Sequence, residues 1–285
     1  MSDHPCPTLT LVHLAELQLS AASAVVCQGD ELWIVADDAL VLQRYSLTGE
    51  YAGKIALLPG ELPADAAERK AHKPDFEALA HLPDGSLLAL GSGSTAKRRR
   101  GCLLQGEAVR IIDLSPLYQE LQQHFVELNL EGAVVFGEDL LLAQRGNGAA
   151  GENAVVLLDL PQALADLAAG QLSAAALRRI VPLALGDLDG VPLGLTDLAV
   201  DPHGRLYCSA AAEASGSTYL DGDCAGSVLA RFDKDLHLVW RARLAPLAKI
   251  EGLAFQADGR LLLVADADDP QRLAPLFALD DLHRS

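Results

Sequence analysis

The chain has 285 residues, 50% of them hydrophobic, and a formal net charge of −17. The length supports a large core, and the acidic balance disfavours nucleic acid and anionic membranes as partners. No run of about 18 uncharged apolar residues is present, and the first residues lack the pattern of a signal peptide, so we expect a cytoplasmic protein. The five cysteines include no C-x-x-C pair, which disfavours a disulfide framework and a zinc ribbon.

An apolar hairpin recurs along the chain. It begins at Ser23 (SAVVCQGDELWIVADD), Glu77 (EALAHLPDGSLLALGS), Glu131 (EGAVVFGEDLLLAQRG), Asp197 (DLAVDPHGRLYCSAA) and Glu251 (EGLAFQADGRLLLVADAD). The starts are separated by 54, 54, 66 and 54 residues. Each unit carries about four short apolar strands, and four-stranded units at such a period are typical of a β-propeller.

The sequence therefore predicts an all-β fold, a single five-bladed propeller over residues 1–285, with a six-bladed ring as the alternative. The last unit lacks a fourth strand, and residues 8–17 are expected to complete it and close the ring. Two segments are predicted to be inserted helices, Ser115–Phe125 and Leu160–Arg179. The first begins with Ser-Pro, a helix-start signal, and the second accounts for the longer interval.

Four acids hold one place in the repeat, at the start of the first strand of a unit. They are Glu77, Glu131, Asp197 and Glu251, with Ser23 in the first unit. First strands line a propeller's central channel, so these side chains are expected near one mouth. Two carboxylates about 5 Å apart repel by roughly 3 kcal/mol at an effective dielectric of about 20. The ring needs shared protons, cations or a metal, and oxygen ligands suit Ca²⁺ better than Mg²⁺, Mn²⁺ or Zn²⁺.

A neutralising cation and a polar rim accompany these acids. Arg145 follows the second strand of the third unit and is the competing neutraliser. In an alternative interpretation, each acid binds backbone N–H groups of the next blade and simply locks the ring. The loops after the second strands carry candidate ligand-binding residues, which are Asp37, Ser92, Ser94, Asn147 and Asp266.

The phrases DFEALA, LEGAVV, LTDLAV and IEGLAF resemble the phytase-like and SdiA-regulated β-propellers of bacteria. The longer phrases KPDFEAL…GSGST and NLEGA…QRGN look like an uncharacterised bacterial group near them. The resemblance covers nearly the whole chain as a repeat. It implies calcium at the central channel and a phosphoester or ester hydrolase, with Glu77, Glu131, Asp197 and Glu251 as the acids involved. In contrast to propeller phytases, we expect neither an export signal nor a densely acidic rim in this chain.

Two functions remain open at this stage. In the first, the protein is a metal-dependent hydrolase of a small phosphorylated or lactone substrate. Glu77 or Glu131 would act as the base, and Arg145 would stabilise developing negative charge. In the second, it is a non-enzymatic propeller whose acids are structural and which binds a ligand or a protein. The expected partner in the first case is a small anionic molecule.

Overall fold

The computed structural model describes residues 6–146, 151–213, 224–269, 271–280 and 282. Its strands form five separate sheets, and the inner strand of each sheet, which lies nearest the central channel, contacts the inner strand of the next sheet in a closed circle. The all-β prediction of five blades is therefore confirmed, and the six-bladed alternative is wrong.

The two N-terminal strands are β1 (Thr8–Thr10) and β2 (Val12–Leu17). Blade 1 comprises β3 (Ala22–Gln28), β4 (Glu31–Ala36), β5 (Val41–Ser46) and β6 (Tyr51–Ala56). Blade 2 comprises β7 (Phe76–His81), β8 (Leu87–Gly91), β9 (Arg100–Gln105) and β10 (Ala108–Asp113). Blade 3 comprises β11 (Leu130–Phe136), β12 (Asp139–Gln144), β13 (Ala154–Asp159) and β14 (Leu177–Pro182).

Blade 4 comprises β15 (Asp187–Leu188), β16 (Val191–Val200), β17 (Leu206–Glu213), β18 (Cys224–Phe232) and β19 (Leu238–Ala245). Blade 5 comprises β20 (Lys249–Phe255), β21 (Leu261–Asp266) and β22 (Ala274–Leu279). The N-terminal strand β2 pairs antiparallel with β22 and supplies the fourth strand of blade 5, so the expected closure is confirmed. Strand β1 instead pairs parallel with β19 and extends blade 4.

The core lies between the blades. Five apolar clusters are present in the described part of the chain, one at each interface between neighbouring blades. The second strands of blades 2, 3 and 5 are buried on both faces, which explains their near-continuous Leu, Val and Ala runs. The fifth cluster joins blade 5 to blade 1 and completes the circle.

The described ranges contain three α-helices outside the sheets: α1 (Ala66–His72), α2 (Ser115–Leu121) and α3 (Leu160–Ala168). The two predicted helices exist, but both were predicted too long. After α3 the chain turns at Ser173, whose N–H and hydroxyl donate to Asp166, and then forms β14 as the outer strand of blade 3. Helix α1 was missed, although Asp65 caps the N–H of Glu68, a start signal visible in the sequence. None of the described helices is long and apolar enough to cross a membrane.

Candidate functional site at the channel mouth

Each inner strand carries a β-bulge near its start. The bulged residues, which the strand pairing skips, are Ser23, Glu77, Glu131, Thr196 and Glu251. A bulge leaves one residue unpaired and re-aims its side chain. The ring at this level of the channel therefore contains three carboxylates and two hydroxyls rather than four carboxylates.

Thr196, not Asp197, is the blade 4 member of this ring, so the predicted equivalence is off by one residue. The Thr196 hydroxyl donates to the Ile250 carbonyl at 2.8 Å. Asp197 is 2% exposed, and its two oxygens accept the N–H groups of Leu198 at 2.7 Å and Leu253 at 2.8 Å. Leu253 belongs to blade 5, so Asp197 joins two blades, as the locking interpretation expected for every acid.

Arg145 neutralises the acids of blades 3 to 5. Its guanidinium lies 3.4 Å from Glu131, 2.9 Å from Glu213 and 3.6 Å from Glu251. The Asn129 amide donates a further hydrogen bond to Glu131 at 2.5 Å. A Cβ atom at Gly194 would lie 2.9 Å from Arg145 Nε, so the glycine in blade 4 leaves the room that Arg145 needs. Arg145 thus bridges three consecutive blades.

Lys249 is the second cation of this region. Its ammonium lies 2.9 Å from Glu213, 3.3 Å from Glu251, 2.9 Å from Asp268 and 3.7 Å from Asp266. Burial alone would lower the pKa of Lys249, but these carboxylates raise it well above its usual value. Burial raises the pKa of Glu251 to about 8 and that of Asp266 to about 7, in spite of the neighbouring cations. Two cations therefore do not fully neutralise this group of acids.

A separate cluster lies between blades 1 and 2. The Lys73 ammonium contacts Asp37 and lies 3.0 Å from Asp75. Arg98 lies 2.8 Å from Asp75, and the Ser92 hydroxyl donates to Asp75 at 2.5 Å. Asp75 adopts a φ of 59°, in the left-handed region that few non-glycine residues occupy. Asp75 is therefore held by three side chains and by its own backbone conformation.

Glu77 shares this cluster but is reached in it only by the more distant charge of Lys73, which favours its ionised form. Its carboxylate lies with those of Asp37 and Asp75, with one oxygen of each within 4.8 Å of the others. Among the residues that the structure describes, none donates a hydrogen bond to Glu77 or forms an ion pair with it. Burial raises the pKa of Glu77 well above its usual value, and the charges of Asp75 and Glu131 add to this effect. Glu77 is the carboxylate of the ring that a cation would benefit most.

The remaining predicted residues fall around these two clusters. Ser94 lies 2.9 Å from the Ser92 hydroxyl and accepts a hydrogen bond from Arg98 at 2.8 Å. Asp37 belongs to the blade 1–2 cluster and Asp266 to the Lys249 group. Asn147 lies outside the described residues.

Sequence reasoning missed Asp75, Arg98 and Glu213. The signal for Asp75 was available. Asp75 immediately precedes an inner strand, as Asn129 does, and the structure places Asp75 against Ser92 just as it places Asn129 against Arg145. Arg98 lies at the end of a short 3-10 helix and Glu213 at the end of β17. The spacing of the repeat does not predict which residues contact these positions.

The charges at the mouth leave negative charge in excess. Among the residues that the structure describes, four cations (Lys73, Arg98, Arg145 and Lys249) face eight carboxylates (Asp37, Asp75, Glu77, Glu131, Glu213, Glu251, Asp266 and Asp268). Like charges in a buried site must take up protons or a further cation. The site is therefore suited to binding cations rather than to binding anions directly.

The fold and this mouth define a five-bladed β-propeller with an acidic channel entrance. The chain belongs to a family of unknown function, DUF6929, whose family model matches residues 18–280. A comparison with curated proteins gives no match.

Among solved structures, the chain is similar to the glutaminyl cyclase of Myxococcus xanthus, with 14% identity, 98% of this chain and 100% of that chain covered, and a TM-score of 0.55. It is also similar to the calcium-binding protein regucalcin of Agrobacterium tumefaciens, with 13% identity, coverage of 96% and 95%, and a TM-score of 0.49. At 14% identity, the likeness to the glutaminyl cyclase structure shows a shared fold and nothing more. The narrower resemblance to phytase-like propellers stays an interpretation.

Proposed function

We propose that this propeller binds a divalent cation, calcium by preference, at the channel mouth between blades 1 and 2. The observation that carries the proposal is the convergence of the Asp37, Asp75 and Glu77 oxygens within 4.8 Å, with Glu77 unpaired among the described residues. Carboxylates are the hard oxygen ligands that Ca²⁺ prefers. A cation bound here would favour the ionised form of Glu77, which burial otherwise opposes.

The donor set favours calcium over smaller ions. Asp37 follows the second strand of blade 1, Asp75 precedes the first strand of blade 2, and Glu77 lies at the bulge of that strand, which is an irregular arrangement. Ca²⁺ accepts irregular coordination, whereas Mg²⁺ requires near-octahedral geometry; Mg²⁺ and Mn²⁺ are therefore the weaker candidates. The Lys73 ammonium now occupies part of this space, since it contacts both aspartates. Cation binding would displace it.

Hydrolysis is the chemistry that such a site would support. A bound divalent cation polarises a phosphoryl or carbonyl oxygen and lowers the pKa of a bound water. Glu77 suits the role of base better than Glu131, because the Glu131 carboxylate is already bound by Asn129 and Arg145. The phytase-like resemblance implies a phosphoester or ester hydrolase, and a lactone is the other candidate substrate. For such a hydrolase we propose Glu77 alone as the candidate base.

The metal also determines which partners fit. Arg145 and Arg98 are already paired with carboxylates, so the positive group that would attract a small anionic molecule is the cation itself. The Ser94 hydroxyl lies beside it and would donate a hydrogen bond to such a ligand, whereas the Ser92 hydroxyl already donates to Asp75. We propose no nucleic-acid or membrane partner, on the net charge of −17. A cytoplasmic location stays a prediction.

The roles proposed for the other acids follow from their partners. Glu131 and Glu251 are held by Arg145, and Asp197 by two backbone N–H groups. We assign these three residues to locking the ring rather than to binding the metal.

The test is metal binding by chelated protein. Protein freed of metal with EDTA and then dialysed is titrated with CaCl₂, MgCl₂ and MnCl₂ by isothermal titration calorimetry, and its melting temperature is followed in parallel. We expect one calcium site and an upward shift in melting temperature, both lost in Glu77→Gln. Asp235→Asn is the matched control. Asp235 lies in an exposed turn where Asp233, Asp235 and His237 also bring three ligand atoms together. Absence of calcium binding in the wild type, or its loss in the control alone, would contradict the proposal.

A second candidate is a non-enzymatic propeller that binds a ligand or a protein and whose acids are structural. The observation in its favour is that Arg145 links blades 3, 4 and 5 through three carboxylates. In that case Glu77→Gln leaves metal binding and any hydrolase activity at the wild-type level.

A further inference from the structure

A groove of about 640 Å³ crosses the top of blade 5. It starts at Lys249 on the inner strand, passes Asp266 and Phe277 on the second and third strands, and reaches His13 on the outer strand β2. The chain from Pro246 to Ala248 forms its wall on the side of blade 4. A volume of this size is typical of small-molecule sites.

The middle of the groove is apolar and open. Leu247 is 64% exposed and Leu273 is 49% exposed, and both line the groove beside the buried Phe277. Few large apolar side chains are exposed in the described part of the chain, and two of these few lie in the same groove. Apolar surface gathered in a concave site favours a ligand with an apolar body.

The inner end of the groove is acidic. Asp266 and Asp268 line it together with Lys249, but the Lys249 ammonium is shared with Glu213 and Glu251 behind it. Burial raises the pKa of Asp266 to about 7, and the charge of Asp268 adds to this effect while that of Lys249 opposes it. At the outer end, His13 pairs with Glu16 at 2.9 Å, and Arg272 is the other lining cation.

We propose that this groove binds a small amphipathic primary amine, with its ammonium at Asp266 and Asp268 and its apolar body between Leu247 and Leu273. The single positive charge of Lys249 is shared among four carboxylates, and the ammonium of a ligand would add a second positive charge. An amphipathic acid of the same size would place its carboxylate against an acidic wall. The inference goes beyond the cation site of blades 1 and 2 and does not depend on it.

The experiment compares two probes of similar size and opposite charge, 2-phenylethylamine and 3-phenylpropionate. Binding to the full chain is measured by calorimetry and ligand-observed NMR at pH 7.5, with EDTA present so that the cation site plays no part. We expect the amine to bind and to weaken with added salt, because exposed charges are screened. We expect no measurable binding of the acid.

Two variants locate the binding in the groove. Asp268→Asn should weaken amine binding at least fivefold; Asp268 has a φ of 49°, which asparagine adopts readily. Leu273→Ala should weaken it about threefold, and as an exposed position it should fold normally. The controls are Asp235→Asn, an exposed acid elsewhere, and Val126→Ala, since Val126 is 92% exposed outside the groove. Equal binding of the two probes, or wild-type affinity in both groove variants, would overturn the proposal.

Discussion

Both sides of the channel mouth have a glutamate at the bulge of an inner strand, but only one side provides it with a counter-ion. Glu131 and Glu251, at the bulges of blades 3 and 5, share Arg145 as a counter-ion. Glu77, at the bulge of blade 2, has no hydrogen bond or ion pair with the described residues, because Lys73 and Arg98 are directed to Asp37 and Asp75 instead. A repeated position in this propeller therefore defines where a carboxylate lies, whereas its non-repeated neighbours define what the carboxylate can do.

The largest effect is expected on the paired side. Arg145→Met leaves Glu131, Glu213 and Glu251 buried without their shared cation. Removing one partner of a buried ion pair costs about 3–5 kcal/mol, and a large domain loses roughly 2–4 °C per kcal/mol. We therefore expect a fall in melting temperature of roughly 10 °C, measured by calorimetry.

The control for this variant is Arg178→Met. Arg178 also contacts two carboxylates, of Asp139 and Asp159, but it does so on the exposed surface. Its loss should leave the melting temperature nearly unchanged. Similar shifts in the two variants would mean that Arg145 does not lock the blades.

The next largest effect tests Asp197, which lies beside the ring but is bound by backbone. In Asp197→Asn, an amide NH₂ replaces one acceptor and faces the N–H of Leu198 or Leu253. Leaving a buried donor unpaired costs about 1–3 kcal/mol. We expect lower stability with an unchanged calcium titration, since Asp197 is not a proposed ligand. Loss of calcium binding at full stability would reassign Asp197 to the metal site.

Glu77→Gln tests the unpaired side through the pH dependence of stability. Burial raises the folded-state pKa of Glu77 above its unfolded value of about 4.3. The folded protein therefore holds this proton more tightly than the unfolded chain. Stability that is fully present below the unfolded pKa is lost as the pH rises towards the folded pKa, at up to about 1.4 kcal/mol per pH unit.

In the chelated wild type we expect urea denaturation to show decreasing stability between about pH 5 and pH 8, and a smaller decrease in Glu77→Gln. Calcium should restore the wild type at pH 8 and leave the variant unchanged. Parallel pH profiles for the two chelated proteins would show that Glu77 is neutralised by some other group.

These results bear on how much the sequence could show. The five blades were predictable because each hairpin carries local signals, such as the Asp-Gly turn at Asp84 and Gly85, where Asp84 accepts the Ser86 N–H at 3.0 Å. The ring of acids was predicted with one error. Aligning LTDLAV with IEGLAF on their shared Leu-Ala pair places Thr196 against Glu251 and Asp197 against Gly252. The prediction followed the position of the acid and not this alignment, and it therefore placed Asp197 in the ring.

The counter-ions were less predictable, since they depend on contacts between blades. Arg145 was identified from its place after the second strand, but its contact with Glu213 joins β17 to a neighbouring blade. Nothing in the local pattern around Glu213 indicates that contact. The distinction between paired and unpaired acids therefore required three-dimensional coordinates.

The smallest effect concerns two neighbours in the sequence, Asp37 and Asp38. Asp37 lies in the blade 1–2 cluster with Asp75 and Glu77, whereas Asp38 pairs with Arg69 at 3.5 Å, outside it. Asp37→Asn removes one proposed ligand charge and should weaken calcium binding about tenfold, which corresponds to about 1.4 kcal/mol. Asp38→Asn keeps the same backbone and removes the same formal charge, but we expect less than a twofold change, because a partly exposed charge outside the site is screened. If calorimetry gives equal losses for the two variants, calcium responds only to the overall negative potential of the mouth. If only Asp37→Asn weakens binding, the side with the unpaired glutamate holds a defined site, and the difference between the two sides of the mouth is functional.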